Sequence, residues 1–356
     1  MDKISFFILN VFLNSLLMFF TAVVLLEGLI FLLRIPQGRI AAFLRMIPIF
    51  KLPLDLYLYD FSRWSYAKGI NPFHCEEGTR TLSVMFGWIN EATDWFFLPI
   101  NSGIQFTVPG NMTFTLADVV GYSIDLKVLN IFTLFFITTS SVLLCRNFIR
   151  YYQSVKSLNS LAKIAQSTDR KTRNFSITSC LKDYRLQILT SSSLGGSPFV
   201  AGLTSYNVYV PEQLLKAFSR REYEAVLAHE IEHIRHKDSL VRLILDLIES
   251  TFWWVPTKWL HKRIEEGQEV GCDLNCEKYG VHPNDLASAI CKSVRHSINT
   301  PTHIFANHLT KRTVHKRVDI LLKPKSMRFR KVRYICSALA IGTAFLLVLL
   351  GRFWIF

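Results

Sequence analysis

The sequence has no Cys-x-x-Cys pair among its seven cysteines, and that number is odd. Neither a thiolate zinc site nor a disulfide framework is therefore supported. Cys272 and Cys276 stand one helical turn apart, and Cys75 has no partner in its own segment. Acidic residues are scarce, 27 against 41 Lys and Arg. No RNA- or DNA-binding pattern accompanies that excess of positive charge, so direct nucleic-acid binding is not expected. Internal repeats and low-complexity segments are also missing. Charge of either sign is absent from residues 4–26, 128–145 and 334–351.

Those charge-free runs are the first positive signal, in a chain that is 50% hydrophobic. At about 1.5 Å of rise per residue each is long enough to cross a hydrocarbon core of about 30 Å. Glu27, Gly28 and further apolar residues follow the first run where a signal peptide would carry a small-residue cleavage site, so it reads as an anchor. Residues 146–173 carry seven basic residues and one acid, and residues 323–333 six basic residues and none. Such clusters beside apolar spans mark the cytoplasmic side. Arg34, Arg39, Arg45 and Lys51 put the exit of the first run on that side too. Parity then demands one more crossing before residue 146. The best segment for it is about 40–60, although Arg45, Lys51, Pro48, Pro53 and Asp55 weaken its hydropathy. The layout predicted is a multi-pass protein of the cell (inner) membrane, in contact with the bilayer and with both termini outside. Its N-terminal membrane region is 1–145, with spans at about 4–33, 40–60 and 116–145 and an extracytoplasmic loop at about 60–115. A cytoplasmic block at 146–331 and a last span at 332–356 complete it.

Within the cytoplasmic block, residues 187–190 and 206–210 read as strands separated by a Ser/Gly loop at 191–198. Pro211 starts a helix. Ser219 and Glu222 have capping-box spacing, so a second helix is predicted over about 220–236. Residues 240–255 are mostly apolar, with Arg242, Asp246 and Glu249 on one stripe. This segment fits either a core helix under a functional site or a helix at the membrane surface. Trp253, Trp254 and Trp259 favour a place near the interface. The fold class is thus a multi-spanning α-helical membrane protein with a mainly helical α+β domain in a cytoplasmic loop.

His229-Glu230-Ile231-Glu232-His233 is a His-Glu-x-x-His sequence. On a helix the two imidazoles share a face one turn apart, close enough to bind one ion. Two neutral imidazoles and a carboxylate suit Zn2+, with a fourth position left for water. Glu230, beside the first ligand, is placed to take a proton from that water. Downstream, Glu266, Glu269 and Asp273 can share a face of another helix, and spacing alone does not choose between Glu266 and Glu269 as third ligand. His236 lies roughly 10 Å along the axis from His229, too far to join the same ion. His261, His282, His296, His303, His308 and His315 are scattered and receive no role.

The run Ser197-Pro198-Phe199-Val200-Ala201-Gly202-Leu203, the Val210-Pro211 pair, the stretch AHEIEHIRHKD from Ala228, the segment Phe252-Trp253-Trp254-Val255-Pro256 and Glu269-Val270-Gly271-Cys272-Asp273 together resemble the BlaR/MecR-type membrane zinc metallopeptidases. The resemblance implies a gluzincin, zincin-like site in a cytoplasmic domain between the third and fourth spans. It makes His229, His233 and Glu269 the zinc ligands, Glu230 the catalytic base and Asp273 the residue that orients a ligand histidine. It also implies a regulatory endopeptidase whose protein substrates include transcriptional repressors. Two other functions compete. One is an HtpX-type membrane quality-control protease, which shares the His-Glu-x-x-His and a later Glu-x-x-x-Asp; the Pro198 to Gly202 run speaks for the first reading. The other is a non-proteolytic, zinc-binding signal transducer, against which Glu230 speaks, because a structural site needs no base beside its ligand. Well-known members carry a penicillin-binding sensor after the last span, whereas this sequence stops at Phe356. A signal is therefore expected to enter through residues 60–115, through the membrane or through a partner.

Overall fold

A computed structural model describes residues 2–67, 105–108, 112–115, 126–164, 166–167, 186–192, 194–203, 205–299, 311–322 and 342. Helix α1 (Asp2–Leu32) takes in the first charge-free run, and a short turn returns the chain into α2 (Arg39–Ala67). α2 covers the segment that parity demanded and holds Pro48 and Pro53 inside it. Leu26, Ile30, Ile35, Ala41 and Leu44 pack the two helices together. Arg45, on the buried side of α2, meets Glu27 at 2.7 Å, and Arg263 reaches the same carboxylate at 3.2 Å. A charge inside an apolar helix pair persists only with such partners.

Strands β1 (Gln105–Val108) and β2 (Met112–Thr115) pair antiparallel, Phe106 opposite Phe114. Most of the loop predicted at 60–115, and the last span at 332–356 apart from Gly342, lie outside the described residues. Helix α3 (Leu126–Ile164) follows. Its segment Lys127–Ser160 is the one helix among the described residues long and apolar enough to cross a bilayer; Phe19–Leu32 of α1 is apolar but shorter. Ile131, Phe135, Val142 and Phe148 of α3 are more than half exposed. A soluble core helix would cover such a face.

Next comes a sheet of β3 (Gln166–Ser167), β4 (Leu186–Ser191), β5 (Phe199–Ala201) and β6 (Tyr206–Pro211), in the order β3-β4-β6-β5. The two predicted strands are β4 and β6, which run parallel with Ile188 opposite Val208. β5 pairs antiparallel with β6, Val200 opposite Val208, and forms the sheet edge. A tight turn joins them at Gly202, whose φ is +125°; a Cβ there would stand 1.9 Å from the carbonyl oxygen of Ser205, so only glycine fits.

After Pro211, a residue suited to a helix start, comes α4 (Glu212–Ala217). α5 (Arg220–Arg235) opens with the predicted capping box: Ser219 Oγ accepts from the Glu222 N–H, and the Ser219 N–H donates to Glu222 Oε2. α6 (Asp238–Thr251), α7 (Lys258–Asn275), α8 (Pro283–Asn299) and α9 (Lys311–Leu322) surround it. On one side of α5, Val226 and Leu227 pack on Ile188, Val208 and Val210 of the sheet. On the other, Ala225, Ala228 and Ile231 meet Leu286, Ile290, Val314 and Leu321. A helix buried on both sides is a core helix.

α6 packs one face against the α1–α2 hairpin. Leu245 and Ile248, with Phe252, Val255, Leu260 and Ile264, share one cluster with Phe19, Val23, Ile49 and Leu52 of the α1–α2 hairpin. Trp254 Nε1 donates to Ser15 Oγ at 2.7 Å and Trp253 Nε1 to Ser140 Oγ at 2.9 Å, both acceptors lying well inside charge-free runs. A buried indole N–H needs an acceptor, and these two hydroxyls supply it.

Candidate metal centre

α5 ends in a sharp corner at Lys237, whose φ of 54° is left-handed. The corner brings Asp238 back beneath the helix, so that its Oδ2 lies 2.7 Å from His233 Nδ1. A carboxylate only accepts, so His233 donates from Nδ1 and turns the lone pair of Nε2 the other way. One turn earlier, His229 Nδ1 lies 3.0 Å from Asp273 Oδ1, off the line of a straight hydrogen bond. The two Nε2 atoms face each other at 3.1 Å. α7 crosses α5 and adds Glu269, with Oε2 3.4 Å from His229 Nε2 and Oε1 3.5 Å from His233 Nε2.

These spacings fit a metal. Tetrahedral ligand atoms about 2.0–2.1 Å from an ion stand about 3.4 Å from one another. His229, His233 and Glu269 offer one ligand atom each within 4.8 Å. Two imidazoles and a carboxylate that converge in this way could hold a cation at the centre, and the donor set suits zinc. A second trio, His233, Asp238 and Cys272, is also close. There Arg39 already supplies the cation, bonding both Asp238 and the Cys272 sulfur.

The electrostatics agree. Burial disfavours a charged His233, but Cys272, Glu269 and Asp238 outweigh it and lift the imidazole to about 10. Against the same burial, Asp273, Cys276 and Glu269 lift His229 well above its ordinary value. Burial would raise the Glu269 carboxyl, yet Arg317 and His233 hold it well below the usual range. Protons on the two imidazoles thus stand where a metal would put charge, and loading the metal releases them. Glu230 is different. Burial pushes its carboxyl up, only partly opposed by the two histidines. A carboxylate so raised is a better proton acceptor.

Four supporting residues escaped the sequence reading. Arg317 of α9 grips Asp273 with Nε at 2.7 Å and Nη2 at 2.8 Å, while its Nη1 reaches Glu269 Oε2 at 2.8 Å. Arg39 and Asp238 form the corresponding pair behind His233. Glu232, inside the motif, is fully buried and accepts from Asn275 Nδ2 at 2.7 Å and Tyr279 OH at 2.8 Å, pinning α5 to α7. Asp238 follows His233 closely enough to have been weighed; the two arginines left no local signal. Of the other residues considered, Glu266 lies outside the metal trio and meets Lys316 at 3.9 Å. His236 is exposed and pairs with Glu232 at 3.3 Å. His261 sits against Glu249 at 3.3 Å.

A cleft of about 520 Å³ opens onto His229, Glu230, His233 and Glu269, and edge strand β5 forms part of its rim through Phe199 and Val200. A buried carboxylate beside a three-residue metal trio at the foot of a cleft is what a metallopeptidase requires. The comparison with known families agrees: the model described as BlaR1 peptidase M56 matches residues 115–321, and the chain belongs to that metallopeptidase family. Among curated relatives, it is 29% identical over 127 residues to the regulatory protein BlaR1 of Bacillus licheniformis, 35% of this chain and 21% of that one. It is 36% identical over 64 residues to a protease HtpX homolog of Archaeoglobus fulgidus, 18% of this chain and 19% of the relative. To the methicillin resistance mecR1 protein of Staphylococcus aureus it is 26% identical over 97 residues, 27% of this chain and 17% of the relative. Each match thus spans about a fifth of the relative's length or less.

Proposed function

We propose that this chain is a membrane-embedded zinc metalloendopeptidase of regulatory type that cuts a cytoplasmic or membrane-proximal protein. The carrying observation is the convergence of His229 Nε2, His233 Nε2 and Glu269 beside buried Glu230 at the foot of the cleft. A zinc ion held there supplies Lewis acidity and makes water acidic enough to serve as nucleophile near neutral pH. Glu230 accepts the proton of that water and hands it to the departing amine. Asp273 and Asp238 keep the imidazoles oriented, as hydrogen-bonded carboxylates behind ligand histidines do.

A multi-pass position in the cell membrane, with the site on the cytoplasmic side, is supported by the three charge-free runs and the basic clusters. The uncovered apolar face of α3 fits lipid contact. A regulatory role draws on the match to a protein named a regulatory protein, and a repressor-like substrate on the resemblance of the sequence motifs alone.

Glu230→Gln is the direct test. The variant is predicted to keep its zinc, measured by mass spectrometry of the detergent-purified protein, and to lose about 10²- to 10⁴-fold in cleavage rate. Loss of metal in that variant would show that Glu230 is a ligand and not the base. Comparing proteomes of wild-type and Glu230→Gln cells identifies substrates, one or a few fragments being expected. The HtpX homolog match supports a second reading as a quality-control protease; many unrelated membrane-protein fragments would favour it.

A further inference from the structure

Arg39 opens α2, 199 residues before Asp238, yet its guanidinium lies behind the metal centre. Nη1 donates to Asp238 Oδ1 at 2.7 Å and Nη2 to Oδ2 at 2.8 Å. The same Oδ2 accepts from His233 Nδ1 at 2.7 Å. Nη2 also reaches the Cys272 sulfur at 2.8 Å and the Glu232 carbonyl at 3.5 Å. A two-point grip on a carboxylate fixes its plane, which a single contact does not.

The approach is built into α7. A Cβ at Gly271 would stand 2.1 Å from Arg39 Cγ and 3.1 Å from its backbone nitrogen. At Gly267 a Cβ would stand 3.0 Å from both Ala42 Cβ and the Gly38 carbonyl oxygen. Glycine is a poor helix former, and two of them one turn apart in α7 let the start of α2 lie directly on it. Glu269 sits between the two glycines in sequence. The hairpin also shares its apolar cluster with α6 and α7, so Arg39 is carried by a packed element.

We propose that Arg39 is a positioning residue of the metal centre: the α1–α2 hairpin, through Arg39 and Asp238, holds His233 with Nδ1 protonated and Nε2 turned toward Glu269. This rests on the metallopeptidase reading. Arg39 touches none of the three ligand side chains; it reaches His233 chiefly through its two-point grip on Asp238 and also through Cys272, whose sulfur lies near the same imidazole.

Cobalt(II) uptake by the full-length protein in detergent tests this, read as affinity by chelator competition and as the visible absorption band of the bound ion. The variants are Arg39→Gln, Asp238→Asn, the double variant, and Arg45→Gln, which breaks a different hairpin ion pair. Arg39→Gln and Asp238→Asn should each weaken cobalt binding about 10- to 100-fold, as losses behind a ligand histidine do. The double variant should lose less than the product of the two single losses, because both act through the shared Asp238 link and such contacts are not additive. Arg45→Gln should bind like wild type. Wild-type affinity in Arg39→Gln overturns the proposal, and so do effects that multiply in the double variant. Should Arg39→Gln fail to fold by thermal melting, Arg39→Lys keeps the charge without the two-point grip, and unchanged cobalt binding in it is equally fatal. If the wild type itself takes up no cobalt, the metallopeptidase reading falls and takes the positioning role with it.

Discussion

His229 and His233 stand one turn apart on the same helix, yet they are held from opposite ends of the chain. Behind His229 is Asp273 of α7, gripped by Arg317 from α9. Behind His233 is Asp238 at the start of α6, gripped by Arg39 from the N-terminal hairpin. The Arg317–Asp273 side chains are 8% and 2% exposed, those of Arg39–Asp238 19% and 9%. Arg317 also holds a ligand candidate, Glu269, directly; Arg39 does not. The His229 side is therefore built into the peptidase core, where attraction is little screened. The His233 side depends on how the hairpin is seated.

The comparison breaks most visibly at Arg317. Arg317→Met leaves buried Asp273 and half-buried Glu269 without the cation that holds both carboxyls below their ordinary range. Removing one partner of a buried ion pair costs about 3–5 kcal/mol, and here two carboxylates lose theirs. Denaturant unfolding in detergent should show a loss in that range and a larger one than in Arg39→Met. Equal losses in the two variants would erase the proposed asymmetry between the histidines.

A smaller effect is expected where both histidines share a support, at the start of α5. Burial would raise Glu222, but hydrogen bonds from Lys292, Ser288 and Ser219 bring it down to about 2 from an ordinary 4.5. A carboxyl lowered in the folded state stabilises above its unfolded value and loses that stabilisation as pH falls through the folded one. Glu222→Gln should thus cost about 1–2 kcal/mol at neutral pH, and its gap to wild type should close between about pH 4.5 and about 2. Metal affinity should change little, because neither Asp–Arg pair is touched. A selective loss at one histidine would mean that the helix start does not act on both alike.

What could be read in the sequence was what chain-local chemistry encodes. The helix carrying His229 and His233 was legible from the Ser219–Glu222 box and the apolar run after it, which are contacts within a few residues. β4 and β6 were legible from their β-branched, apolar runs. β5 was not: three residues pair only because β6 and the Gly202 turn are there to receive them. Spacing could not separate Glu269 from Glu266, since one face of α7 carries both; the choice came from the resemblance. Arg317 and Arg39 were invisible because nothing near them in sequence announces a partner, and their roles exist only once α9 and α2 have packed against α7.

The smallest effect is expected at Glu266, and it decides whether the trio has the right third member. Glu266 lines the same cleft as the histidines and lies three residues before Glu269 on α7. Its carboxylate, however, is directed to Lys316 at 3.9 Å, with side-chain exposures of 31% and 40%. An exposed pair of that kind contributes about 0–1 kcal/mol. Glu269 instead meets both histidines and buried Arg317. Glu266→Gln should therefore leave zinc content and melting temperature close to wild type, while Glu269→Gln removes a charged ligand and should lower zinc occupancy severely. Both are read by metal analysis of the purified proteins after dialysis against a weak chelator. Zinc retained in Glu269→Gln and lost in Glu266→Gln would shift the third ligand by about one turn of α7. In that event Arg317 and Asp273 would no longer support the ligand set, and the asymmetry between the two histidines would lose its structural basis.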